Sequence, residues 1–276
     1  MSPDLLVANV TPFTSDGRVD LDALAEHTRW MAGAGVDGFA PAGTTGGFLY
    51  LSLDEKRAVH RTVLAAAAGC RVCPCVWDAR PEAVVALARA AEAEGAWAVF
   101  LPPPLYHVVQ PDVIRRWYAM VRAAVDIPVL AYHHPRTLNP LEDDLLASLL
   151  DGLGLDGIKD SSGEPARIRR LAQRWPGRVW IGGDRFLGQA PALGPIAGHI
   201  SGLANGWPAE ASALRAGEGD RDWLMATIAS LKNGGGTAVS IQAVLGLGHR
   251  LPLDGVSPAG LEALPPSTFR RSAVAR

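Results

Sequence analysis

The chain holds three lysines, Lys56, Lys159 and Lys232, in three different settings. Lys159 ends the apolar run Leu155-Asp156-Gly157-Ile158-Lys159, which breaks at once into Asp160-Ser161-Ser162-Gly163. An ammonium at the end of a buried strand is costly unless it is paired or deprotonated. A free amine in a pocket attacks carbonyls and forms Schiff bases. The plainer alternative is a lysine that reaches from a strand end to water. Lys56, within Asp54-Glu55-Lys56-Arg57, reads as part of a solvated helix face. Lys232 precedes Asn233-Gly234-Gly235-Gly236, a helix-stop signal.

The elements around Lys159 decide what it can meet. Short apolar runs at 5–10, 36–41, 72–77, 97–101, 128–133, 155–159, 179–182 and 199–203 read as strands. Helical patterns follow at 21–34, 53–68, 81–94, 111–125, 141–150, 165–175 and 208–231, with a short apolar segment near 186–193. Pro81 and Pro111 open two of the helices, and Ser52-Leu53-Asp54-Glu55 is a capping-box signature. Strand–helix alternation implies parallel strands, and eight units in this length favour a closed (β/α)8 barrel. There is no GxGxxG after the first or seventh strand, which disfavours a dinucleotide fold. We expect an α/β TIM barrel over residues 1–231 and a C-terminal helical extension over 232–276, packed on the barrel.

Working residues in such barrels sit at the C-terminal ends of strands. That rule selects Gly43-Thr44-Thr45-Gly46-Gly47, Pro102-Pro103-Pro104-Leu105-Tyr106-His107, Tyr132-His133-His134-Pro135-Arg136, Lys159, Gly183-Asp184 and Ala204-Asn205-Gly206. The fifth and sixth strands are neighbours, so Tyr132 and Lys159 face one another across the mouth. A phenol beside an amine suits proton transfer during carbinolamine formation and dehydration. The Gly43–Gly47 turn offers N–H groups and two hydroxyls to a carboxylate or phosphate; it also reads as a plain strand–helix turn.

Composition narrows the partners. A formal net charge of -2 gives no reason to expect nucleic acid or an anionic membrane. The N-terminus lacks the basic flank of a signal peptide, and no apolar run is long enough to span a bilayer. Cys70, Cys73 and Cys75 form an odd set without a fourth ligand at metal spacing; we read them as buried thiols in a reducing cytoplasm. Neither metal nor cofactor is called for.

Gly43-Thr44-Thr45-Gly46, Tyr132-x-x-Pro135, Gly157-Ile158-Lys159 and Gly183-Asp184, in this order, resemble the dihydrodipicolinate synthase / N-acetylneuraminate lyase superfamily. The resemblance runs from about Leu5 to Arg250-Leu251-Pro252-Leu253. It implies a barrel enzyme that acts on pyruvate or another 2-keto acid through a lysine Schiff base, usually as a homo-oligomer, dimer or tetramer. On that resemblance Lys159 carries the Schiff base and Tyr132 shuttles protons. Thr45 and the N–H of Gly46 hold the keto-acid carboxylate. Thr44 links Tyr132 to a second tyrosine from a neighbouring subunit, for which Tyr106 is the candidate. Arg136, His133 and Asn205 complete the substrate-binding set. His133 and His134 stand where the family would have Asn and an apolar residue. Either they act on the second substrate, or one caps a backbone group and the other packs under the loop. Gly47 stands where the family commonly has glutamate, and Arg136 follows the tyrosine by four residues rather than five. These departures fall on the second substrate, so efficient lysine-biosynthetic synthase activity is not expected. A keto-acid-binding relative without turnover, the synthase proper and a phosphate-binding barrel isomerase are the alternatives.

Overall fold

The computed structural model describes residues 3–234, 236–250 and 262–270. Eight parallel strands, β1 Asp4–Val7, β2 Gly38–Phe39, β3 Arg71–Val72, β4 Val99–Leu101, β5 Val129–His133, β6 Gly157–Asp160, β7 Val179–Ile181 and β8 Gly198–Ser201, run in the order β3-β2-β1-β8-β7-β6-β5-β4. A parallel bridge between Cys75 and Phe100 joins the two ends. It is flanked by hydrogen bonds of 3.0 Å from Val76 N–H to the Phe100 carbonyl and from Phe100 N–H to the Pro74 carbonyl. The expected (β/α)8 barrel is therefore the fold.

Strands are shorter than the sequence pattern suggests because apolar character continues into the loops that carry the site. Residues 8–10 and 40–42 are buried but leave the ladder after β1 and β2.

The helices are α1 Leu21–Gly33, α2 Leu53–Ala66, α3 Pro81–Ala93, α4 Pro111–Arg122, α5 Asp143–Ala147, α6 Pro165–Arg174, α7 Ala190–Leu193, α8 Pro208–Ala216, α9 Arg221–Asn233 and α10 Thr237–Val244. Both arms of the expected capping box on α2 are made, with Glu55 N–H to Ser52 Oγ at 3.2 Å and Ser52 N–H to Glu55 Oε2 at 2.8 Å. Such a cap is worth about 1 kcal/mol. Proline opens α3, α4, α6 and α8, where its missing N–H costs nothing.

Two readings of the sequence need correction. The helical stretch at 208–231 is two helices, split where Gly217 takes a left-handed φ of 84° at the end of α8. Lys56 is not solvated: it is 3% exposed on α2, with Nζ 3.1 Å from Asp78 Oδ2. The boundary expected at 231/232 falls inside α9. Of the expected extension, residues 235, 251–261 and 271–276 lie outside the described residues. Further along, Phe269 packs edge-on to His27 and Trp30 of α1.

Two apolar layers hold the barrel. Leu5, Val7, Phe39 and Val72 pack outward under α1, α2 and α8, while Phe100, Tyr132, Trp180 and Ile200 belong to a second cluster that takes in the barrel interior. The end of the barrel where the strands begin is stoppered by Trp97 edge-on to Trp180, with the Arg71 guanidinium over Trp97 and paired to Asp4. The opposite end stays open.

Candidate active site

A cavity of about 430 Å³ opens among the loops that follow the strands, lined by Thr44, Thr45, Tyr132, His134, Arg136 and Lys159, with Ser161 and Asp184 on its far wall. The ladder sets its centre. Tyr132 of β5 and Lys159 of β6 are register partners, so their side chains leave the sheet side by side. Lys159 is 4% exposed, and its Nζ lies 4.4 Å from the Tyr132 ring centre and 4.7 Å from that of Phe100. Among the described residues it has no hydrogen-bond or ion-pair partner. A Cβ on Gly182 would overlap Ser161 Oγ and touch Lys159 Cε at 3.4 Å, so glycine there lets both side chains reach the cavity.

The Tyr132 hydroxyl meets Thr44 Oγ1 at 3.1 Å, as the resemblance implied. The turn at Thr44 is tightly built. Gly47 N–H reaches the Thr44 carbonyl and Phe48 N–H the Gly43 carbonyl. Gly46 lies so close to the β1 end that a Cβ would come within 2.9 Å of the Asn9 carbonyl oxygen, and Thr11 Oγ1 holds the Gly46 carbonyl at 2.8 Å. Among the described residues the N–H groups of Thr44, Thr45 and Gly46 have no hydrogen-bond partner. Three consecutive free donors are a ready anion cradle.

The remaining expected residues divide. Arg136 lines the cavity, and the four-residue spacing does not carry it away. His133 and Asn205 are not at the site. Side chains alternate across a strand, so Tyr132 turned inward leaves His133 outside the barrel, where its buried Nδ1 accepts the Leu141 N–H at 3.3 Å. Burial lowers the His133 pKa, against the opposing pull of Asp160. Asn205 is fully buried and ties β8 to β1: Oδ1 accepts the Val10 N–H at 3.0 Å, and Nδ2 donates to the carbonyls of Ala8 and Gly202. Tyr106 is 83% exposed, has a left-handed φ of 76° and stacks edge-on to His107, outside the cavity of its own chain.

Two further residues join the site: Asp184, which the sequence left without a role, and His134, which it did not separate from His133. Asp184 follows β7; its Oδ1 accepts Ser201 Oγ–H at 2.6 Å and its Oδ2 the Leu203 N–H at 3.1 Å. Burial raises its pKa, and those donors offset part of the rise. Its place at a strand end was the available signal. His134 lines the cavity and a second, adjoining one of about 270 Å³, walled by Phe48, Leu49, Pro102 and Leu105. The strand alternation that removes His133 would have selected it. Lys232, Thr237 and Val239 also line the main cavity, so the segment around α10 covers part of the mouth rather than padding the outside. Cys73 and Cys75 are buried as expected, and Cys70 is half-buried; burial pushes the Cys75 thiol up to about 11.

Comparison with known proteins bears on the whole chain. Residues 1–222 match the dihydrodipicolinate synthetase family model. The chain belongs to that family. It is 34% identical over 250 residues to an uncharacterized DapA-like lyase of Halobacterium salinarum, covering 86% of this chain and 82% of the relative. A 4-hydroxy-tetrahydrodipicolinate synthase of Anaeromyxobacter is 36% identical over 186 residues, 66% of this chain and 62% of the relative. In fold, the Ruminococcus gnavus sialic acid aldolase superposes with a TM-score of 0.86 at 20% identity, over 95% of this chain and 94% of that one. Members of the family are lyases, and this chain is an enzyme of that kind. No helix among the described residues is long and apolar enough to cross a membrane.

Proposed function

We propose that this enzyme condenses, cleaves or dehydrates its substrate through a Schiff base between Lys159 and pyruvate or a related 2-keto acid. The observation that carries this is the buried Lys159 amine, without an ion-pair partner among the described residues, beside the Tyr132–Thr44 hydroxyl pair. The lysine amine adds to the keto carbon, giving a carbinolamine. Tyr132 hands a proton to the departing hydroxyl, water leaves, and the tyrosine is reprotonated through Thr44, which reaches solvent. The keto-acid carboxylate rests on the free N–H groups of Thr44, Thr45 and Gly46. Loss of a proton from the adjacent carbon of the iminium gives an enamine, which adds to a second carbonyl; the reverse sequence is cleavage.

Tyr106, exposed and strained outside its own cavity, supports a homo-oligomer in which it completes the site of a neighbouring copy. Reduced, buried thiols accord with a cytoplasmic setting.

Treatment with pyruvate and borohydride, followed by peptide mass analysis, should place one reduced pyruvoyl adduct on Lys159. Labelling of Lys56 or Lys232, or none, would overturn the reading. A binding-only relative would form the adduct without turning over any aldehyde or sugar acid. Arg136 in the cavity wall favours one narrower reading, a synthase whose second substrate carries a carboxylate. An assay with aspartate semialdehyde separates the two: efficiency near ~10⁴ M⁻¹s⁻¹ or above identifies the synthase.

A further inference from the structure

The second substrate has a recognition element of its own. His134 stands two residues beyond Tyr132, on the cavity side of β5. Its ring is edge-on to that of Tyr132, with centres 6.0 Å apart and planes at 80°. Its Nδ1 accepts the backbone N–H of Arg136 at 3.1 Å. A ring nitrogen that accepts a hydrogen bond carries no proton, so in the neutral ring the proton sits on Nε2. Among the described residues nothing accepts from that Nε2. Burial first, then the positive charges of Arg136 and Lys159, hold the imidazole pKa down to about 4. The ring is therefore uncharged at neutral pH and a poor base. What it offers the cavity is one oriented, neutral N–H.

We infer that His134 Nε2–H is a specificity-determining donor that selects a carbonyl partner bearing a neutral oxygen, such as a short hydroxyaldehyde, over its deoxygenated analogue. The inference rests on the Schiff-base reading above and adds what the enamine meets. The adjoining 270 Å³ space is walled largely by Phe48, Leu49, Pro102 and Leu105, which suits a few carbons. In such surroundings a donor left without an acceptor is penalised, so a substrate lacking the oxygen is disfavoured. Arg136, exposed at the rim, is the group for an anionic end; His134 reads an oxygen without charge.

The test uses the full chain with pyruvate as donor and either glyceraldehyde or propanal as acceptor, which have the same carbon count and differ in the hydroxyls. The quantity read is the ratio of kcat/KM for the two aldehydes, which does not depend on the fraction of active protein. The wild type should favour glyceraldehyde by about tenfold or more. His134→Phe, which keeps a ring without a donor, should lose most of that preference. His134→Gln, whose amide presents an N–H at similar reach, should keep most of it. An unchanged ratio in His134→Phe, or no preference in the wild type, overturns the inference. So does an adduct on Lys159 with turnover of neither aldehyde, a result that leaves the Schiff-base reading standing. Absence of the adduct overturns that reading itself.

Discussion

Lys56 and Lys159 are hidden to nearly the same degree, 3% and 4% exposed, and they sit in opposite kinds of company. Lys56 lies between α2 and the barrel wall with its ammonium 3.1 Å from Asp78. That carboxylate also accepts the N–H and Nε–H of Arg80. Burial works to raise the Asp78 pKa, but the Arg80 N–H and the Lys56 ammonium outweigh it and the pKa is lowered. The pair supports Trp77, whose ring meets Phe48 of the 270 Å³ cavity at 5.2 Å. Lys159, by contrast, has its amine over the faces of Phe100 and Tyr132, with no ion pair among the described residues. Burial alone does not separate the two lysines; among the described residues, one has a carboxylate at ion-pair distance and the other does not. One amine is committed to holding a wall, the other faces a cavity with room for a carbonyl.

Exchanging each lysine for methionine attacks the contrast directly. Lys159→Met should abolish borohydride labelling and turnover while leaving stability within about 1 kcal/mol, because no ion pair is broken. Marked destabilisation in a denaturant titration would show that this lysine too is structural. Tyr132→Phe should slow adduct formation by ~10²–10⁴ with the fold intact, read by rapid-quench mass analysis. An unchanged rate would move proton transfer to water. Lys56→Met should still label at Lys159 yet lose about 2 kcal/mol of stability, because Asp78 Oδ2 loses its buried partner and keeps only the more exposed Arg80 on Oδ1. Lys56→Met with Asp78→Leu should recover most of that loss.

The smallest effect is a pH dependence on the Lys56 side. His60, one turn along α2, is fully buried, and burial chiefly, with the Lys56 charge adding, drives its pKa down to about 3. Its folded pKa is below the unfolded value, so the stability it allows is complete above about pH 6.5 and falls as the pH drops toward 3. The slope is about 1.4 kcal/mol per pH unit for one such group. His60→Leu should flatten the decline of unfolding free energy between pH 6.5 and 4.5; an unaltered slope would place the acid sensitivity elsewhere, such as His27 or His199, each held near 4 by burial.

The barrel and the Lys159–Tyr132–Thr44 centre were legible because they follow from local signals: strand–helix alternation, strand ends and the neighbourhood of consecutive strands. Lys56 was misread because its flanks, Asp54, Glu55 and Arg57, are polar, while its partner lies 22 residues on. Asn205 looked like a binding residue because it stands at a strand end. Two of its bonds go to backbone groups of Ala8 and Val10, just past β1 and nearly two hundred residues away, which no local pattern encodes. The histidine pair was a failure of parity: counting alternate residues from Tyr132 points to His134, and both could not face the cavity. Around α10 helix was expected, but nothing in the glycine-punctuated pattern said that it returns over the mouth.

The join between β3 and β4 has a consequence for how the molecule breathes. Phe100, one of the two rings under the Lys159 amine, also carries the Cys75 bridge that closes the cylinder. Four register pairs link β5 to β6, whereas this joint depends on a bridge and the few hydrogen bonds beside it. Transient gaping there would wet the amine from behind, independently of traffic through the mouth. Amide hydrogen exchange would register it as faster deuteration at Val76 and Phe100 than at Ile158. The stave that seals the vessel also lies under the Lys159 amine, so a gap at one would let water reach the other.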